Sequence, residues 1–119
     1  MRPDDRVLIV EDNQDVANAI EAAGIELCFE CDRATDGWEA IEKLETARYA
    51  AIVIDTDVPR QSGFGVLTYL HEEVGGDLPN VIVMTSSDRD EVRRKLAGNL
   101  TVVSKDDAVA ELTRVLCVE

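Results

Sequence analysis

Polar side chains suited to phosphate or metal chemistry follow directly on short apolar runs. VLIV (7–10) is followed by Glu11 and Asp12, and AAIVI (50–54) by Asp55. VIVM (81–84) is followed by Thr85 and Ser86, and LTVV (100–103) by Ser104 and Lys105. A buried charge costs several kcal/mol unless something pairs with it, so acids ending apolar segments belong at an open edge. Three neighbouring carboxylates repel one another and raise each other's pKa unless a cation binds. Hard oxygen donors in this number suit Mg²⁺, which keeps several waters and bridges carboxylates to phosphate. Lys105 supplies a second positive charge, and Thr85 a hydroxyl donor. Such a set would stabilise a phosphoryl group moving to or from Asp55, because carboxylates act as nucleophiles that form aspartyl phosphate. Phosphoryl transfer needs mostly positioning and charge stabilisation.

The elements that must bring these residues together are strands. The four runs are short, rich in β-branched residues and apolar on both faces, as strands of a parallel sheet covered on both sides are. A weaker run, Phe29 to Ala34, carries Glu30, Asp32 and Arg33 and reads as an edge strand. Helical patterns lie between. Asn13 is a plausible N-cap before Val16, Ile20, Ala23 and Leu27. Gly24 inside that helix should weaken it by ~1 kcal/mol relative to Ala. A second helix is expected over about 37–46, and a third from Ser62 to Gly75-Gly76. A fourth opens with a capping box at Ser87 to Asp90 and ends near Gly98, and a fifth spans Asp106 to Cys117. Strand and helix therefore alternate five times, which predicts a doubly wound α/β fold in one domain, 1–119. In such sheets all strand C-termini share one edge, where ligands bind.

Composition narrows the function. The chain has 119 residues, of which 45% are hydrophobic, enough for a core. Net charge is −13, from 25 acids against 12 bases. That argues against direct nucleic-acid binding, which relies on Lys and Arg neutralising phosphates. No apolar run approaches the ~18 residues of a membrane span, and the N-terminus has no signal-peptide layout, so a cytoplasmic location is expected. Cys28 and Cys31 form a CxxC, but no second CxxC or neighbouring His accompanies it, and Cys117 is distant. The pair reads as two small buried thiols between helix and strand rather than as a redox or metal site. His71, the single histidine, reads as a solvent-facing helical residue, and Trp38 as a half-exposed packing residue.

VLIVEDNQDV, ATDGWEAIEKL, YAAIVIDTDVPRQSGFGVL, VIVMTSSD and VVSK occur in this order. In order and spacing they resemble the receiver domain of two-component response regulators, of the chemotaxis-regulator type, over nearly the whole chain. The resemblance implies a flavodoxin-like three-layer sandwich with a five-stranded parallel sheet of order 2-1-3-4-5. It implies a phosphoacceptor switch that takes a phosphoryl group from a histidine kinase onto Asp55 with Mg²⁺, and not a turnover enzyme. Asp12 and Asp55 would ligate the metal by side chain, Asp57 by its backbone carbonyl, and Glu11 through a water. Thr85 and Lys105 would contact the phosphoryl oxygens. The implied partners are a sensor histidine kinase or phosphotransfer protein and an effector protein, with no nucleic acid and no membrane. Four positions depart from the family pattern: Val102 stands where an aromatic residue is frequent, Asp106 where proline is usual, and Ala50 where an acid is common, while Asn80 adds one residue between Pro79 and the fourth strand.

Two other readings compete. Asp55-Thr56-Asp57 followed by Thr85 and a lysine also resembles haloacid-dehalogenase-type phosphatases. Those enzymes open with the DxD strand and carry late acids, whereas here the acidic pair comes first. A receiver-like module that is never phosphorylated would be expected to lack Asp55, Lys105 or the acidic pair, and all are present.

Overall fold

The computed structural model describes residues 6–56, 65–66, 80–85 and 101–116. Of the expected third helix only residues 65–66 are described, and they are helical; its remainder, the fourth helix, Asp57, Ser62, His71 and Cys117 lie outside the described residues. Five strands form one sheet: β1 (Arg6–Val10), β2 (Glu30–Ala34), β3 (Ala51–Asp55), β4 (Asn80–Thr85) and β5 (Thr101–Ser104). The spatial order is β2-β1-β3-β4-β5, and all four pairings are parallel. This is the flavodoxin-like order expected from the sequence. Helix α1 (Gln14–Glu26) follows β1, and α2 (Gly37–Thr46) follows β2. A 3-10 turn at Lys105–Asp107 leads into the C-terminal helix α3 (Ala108–Leu116).

The strands are continuously apolar because both faces of the sheet are covered. Successive residues point to opposite faces, and the core divides accordingly. Leu8, Val10, Ile52, Ile54, Val81, Val83 and Val102 pack with Ala40 of α2 and with Tyr49. Val7, Ile9, Val53, Ile82, Met84 and Val103 pack with Ala17 and Ile20 of α1 and with Ala108 and Leu112 of α3. Helix, sheet and helix make three layers. The departure at Val102 is thus absorbed into the core, where that side chain is buried.

Local signals set the helix ends. Asn13 caps α1, its Oδ1 accepting from Asp15 N at 2.9 Å and Val16 N at 3.2 Å. Asp36 caps α2, accepting from Glu39 N at 2.8 Å, while Glu39 Oε1 accepts from Thr35 N at 2.7 Å. The far end of α1 holds two departures from expectation. Gly24 does more than weaken the helix: a Cβ there would stand 2.7 Å from Cys31 Sγ, so glycine lets α1 lie close against β2. Cys28 is exposed rather than buried and takes φ 69°, the left-handed residue of a helix stop. Phe29 N donates to Gly24 O at 3.0 Å and Cys28 N to Ile25 O at 2.9 Å, the two bonds of a Schellman ending. Trp38 is 57% exposed, more open than a half-exposed packing residue.

Candidate functional site at the strand C-termini

The parallel sheet delivers the ends of β1, β3, β4 and β5 to one edge. Glu11 directly follows β1, and its backbone N–H donates to Ala34 O at 3.0 Å, which ties the end of β1 to that of β2. Asp55 is the last residue of β3 and is 1% exposed. Thr85 ends β4 and is fully buried, level with Ser104 of β5 in the parallel register. Thr56 N donates to Met84 O at 3.2 Å, so the chain leaving β3 is held against β4.

Lys105 closes the group. Its Nζ lies 2.8 Å from Asp55 Oδ2 and 3.3 Å from Glu11 Oε1. Glu11, Asp12 and Asp55 each offer a carboxylate oxygen, and these oxygens lie within 4.8 Å of one another. Asp12 is the exposed member, at the mouth, while Glu11 and Asp55 are buried. The structure thus brings together Glu11, Asp12, Asp55 and Lys105, with Thr85 on the neighbouring strand end. Asp57 lies outside the described residues.

Glu11 has a second task that its place in the sequence does not announce. Its Oε2 accepts from Asp12 N at 3.1 Å and Asn13 N at 3.4 Å, which holds the turn between β1 and α1. Its Oε1 is buried and forms no hydrogen bond, the contact to Lys105 being an ion pair only. Burial first, and then the Asp55 carboxylate, push Glu11 up to about 7, against the pull of Lys105. For Lys105, burial lowers the pKa, but Asp55 and Glu11 outweigh it and the net shift is upward. The ammonium therefore stays charged at neutral pH.

A buried acceptor without a hydrogen bond, beside two further carboxylates, suits a hard divalent cation. Glu11, Asp12 and Asp55 fit Mg²⁺ by donor type and by spacing. In the turn after Lys105 both acids are exposed, and Asp107 accepts from Ser104 Oγ at 3.1 Å.

The response regulator receiver domain model matches residues 7–116. Among curated proteins, the response regulator MprA of Mycobacterium ulcerans is 33% identical over 93 residues, covering 78% of this chain and 38% of that protein. The transcriptional regulatory protein DltR of Streptococcus agalactiae is 32% identical over 82 residues, covering 69% and 36%. The chain therefore spans little more than a third of these relatives' length. Among solved structures, the receiver domain of a Pseudomonas aeruginosa sensor histidine kinase superposes with TM-score 0.80 at 28% identity, covering 93% of each chain. That structure holds a magnesium ion in its active-site cleft. A Vibrio cholerae chemotaxis protein, 22% identical, shares the fold with TM-score 0.78 over 92% of this chain and 97% of that one.

Proposed function

The chain belongs to the response regulator receiver domain family, and from that premise we propose that Asp55 is its phosphoacceptor. The observation that carries this reading is the buried Asp55 carboxylate, 2.8 Å from Lys105 Nζ and clustered with Glu11 and Asp12. The family match over residues 7–116 supports reading 1–119 as a single receiver domain.

Each residue has a part. Mg²⁺, when bound, supplies positive charge against the phosphoryl oxygens. Asp12 and Asp55 would hold it by side chain, Glu11 through a water and Asp57 through its backbone carbonyl. Asp55 Oδ attacks phosphorus in line with the leaving group. Lys105 is placed to neutralise charge on the transferred oxygens, and Thr85 to donate its hydroxyl to one of them. Glu11 also keeps the turn that carries Asp12 in place. The donor in this reading is a sensor histidine kinase or phosphotransfer protein, and an effector protein reads the result. Turnover of an external substrate is not part of it. Among the described residues no helix is long and apolar enough to cross a membrane, which is compatible with a cytoplasmic site of action.

A Mg²⁺-dependent reaction with a small phosphodonor, followed by intact mass, tests the reading. Wild type should gain one phosphoryl group, labile in base, and Asp55→Asn none. Full labelling of the Asn variant would rule Asp55 out.

A further inference from the structure

Lys105 must hold its ammonium against Asp55, yet the residue after it lends no stiffness. Proline fixes its own φ at about −65° and biases the residue before it away from helical backbone. With Asp106 in that place neither restraint applies, and Lys105 enters a 3-10 turn as its first residue. The turn is short and anchored at both ends. Ser104 closes β5, level with Thr85 of β4. Ala108 opens α3 and is fully buried in the same core cluster as Leu112.

Two hydrogen bonds close this segment. Ala108 N donates to Lys105 O, the backbone bond of the 3-10 turn. Ser104 Oγ donates to Asp107 Oδ2 at 3.1 Å, a side-chain bond that runs from the strand end, over Lys105 and Asp106, to the last residue of the turn. Ser104 is half-buried and Asp107 exposed. A hydrogen bond this open to water adds little to stability, so its consequence lies in what it encloses.

We propose that Ser104 and Asp107 are positioning residues for Lys105: their bond replaces the proline restraint and holds the Lys105 backbone where Nζ meets Asp55 at 2.8 Å and Glu11 at 3.3 Å. Neither residue touches the transferred group. The inference rests on Asp55 being the phosphoacceptor and adds what keeps the lysine in register with it. The lysine stem is flexible, but here it is only 27% exposed, so a shift of its backbone is carried to Nζ. Misplacement by about 1 Å costs up to roughly 100-fold in rate. The backbone bond and the buried Ala108 remain when the side-chain bond is cut, so the loss should be smaller, about three- to tenfold. Asp107 also precedes α3, where an acid suits the helix dipole. That role depends on charge and not on Ser104, so variants separate the two.

The test compares wild type with Ser104→Ala, Ser104→Thr, Asp107→Ala and Asp107→Asn, each well below its Tm. Labelling by acetyl phosphate with Mg²⁺ is read by intact mass; an Asp55 oxygen bonds to phosphorus, and acetate leaves with the electron pair of the broken P–O bond. Mg²⁺ affinity is read from the rise of Tm with metal, and affinity for beryllofluoride, a phosphoryl mimic, by fluorine NMR. Ser104→Ala and Asp107→Ala should label about three- to tenfold more slowly and bind beryllofluoride more weakly by a similar factor, with Mg²⁺ affinity kept. Ser104→Thr keeps the hydroxyl, and Asp107→Asn keeps an acceptor oxygen without the charge; both should recover most of the rate. Wild-type rates in the two Ala variants would overturn the inference while leaving Asp55 as acceptor. So would equal losses of Mg²⁺ and beryllofluoride affinity, which mark a general loosening, or an Asp107→Asn as slow as Asp107→Ala, which marks charge alone. The Asp107 pair lies on an exposed residue and decides the matter should Ser104→Ala fail to fold. Absence of label from wild type would instead overturn the phosphoacceptor reading, and the inference with it.

Discussion

Along the β2 edge of the sheet, acids meet partners; at the strand C-termini, acids meet one another. Glu30 pairs with Arg6 at 3.2 Å, and Asp32 faces Arg6 at 3.6 Å and accepts from Tyr49 OH at 2.8 Å. Arg33 reaches across α1 to Glu21, to Asn18 Oδ1 at 2.6 Å and to Gln14 Oε1 at 3.3 Å. At the other place Glu11, Asp12 and Asp55 crowd together with one lysine between two of them. Repulsion that folding does not relieve is available to a ligand that does. The paired acids fasten the edge strand to β1 and to its helix, and the crowded ones are poised for a cation and a phosphoryl group.

The largest difference between the two regions should appear on adding metal. A ligand at about 100 times its Kd stabilises by about 2.7 kcal/mol when it binds only the folded state. Saturating Mg²⁺ should therefore raise the Tm of wild type by several degrees. Asp12→Ala should lose that rise, and Arg33→Ala, on the paired edge, should keep it despite a lower starting Tm. An undiminished Mg²⁺ response in Asp12→Ala would place the metal away from the crowded acids.

The paired edge should respond to loss of a partner instead. Tyr49→Phe removes the hydroxyl that Asp32 accepts from, in a buried setting where burial and Asp32 hold the phenol above its ordinary range. A hydrogen bond to a charged group is worth about 1.5–3 kcal/mol, less where the acid keeps another partner as Asp32 keeps Arg6. We expect a loss of about 1 kcal/mol in urea unfolding, with Asp55 labelling unchanged well below the Tm. Impaired labelling of the folded variant would show that the two regions are coupled.

A smaller effect concerns pH. Glu11 is raised from 4.5 to about 7 by burial and then by Asp55. Between those values the metal-free folded state binds more protons than the unfolded state, so stability from this group falls as pH rises. The contribution is whole below about 4.5 and is lost through about 7. With a chelator present, Tm should decline more steeply in wild type than in Glu11→Gln, whose amide oxygen can still accept from Asp12 N and Asn13 N. Parallel declines from about pH 5 to about pH 8 would remove Glu11 as the source.

Much of this was legible in the sequence, for a physical reason. A strand covered on both faces must be apolar throughout, so VLIV, AAIVI, VIVM and LTVV stand out, and the polar residue after each marks an edge. Asn13 announces a helix start through its own chemistry. What escaped depends on contacts distant in sequence or on backbone conformation. Gly24 looks like a defect until Cys31 Sγ is seen to occupy the space of its Cβ. The two roles of Glu11 need the turn at Asp12 and Asn13 and the ammonium of Lys105 together.

The smallest effect expected lies where the paired region carries strain without any part in the chemistry. The helix stop at the end of α1 requires a left-handed residue, and the sequence supplies Cys28 at φ 69°. Glycine reaches that conformation without the clash of a Cβ, which costs roughly 1–2 kcal/mol, but it gives up more freedom on folding. Cys28→Gly should therefore stabilise the protein by a net ~0.5–1 kcal/mol, with the Mg²⁺ response and Asp55 labelling unchanged. The neighbouring thiol offers a control on the local structure. Burial, then Glu21 and Asp32, push Cys31 up to about 11, whereas Cys28 is exposed. The thiolate is the nucleophile, so in wild type iodoacetamide near neutral pH should alkylate Cys28 well before Cys31. If Cys28→Gly destabilises the protein, or makes Cys31 react as fast as Cys28 does in wild type, the cysteine side chain is itself holding the α1–β2 junction. The left-handed stop would then be a packing contact rather than a strained turn.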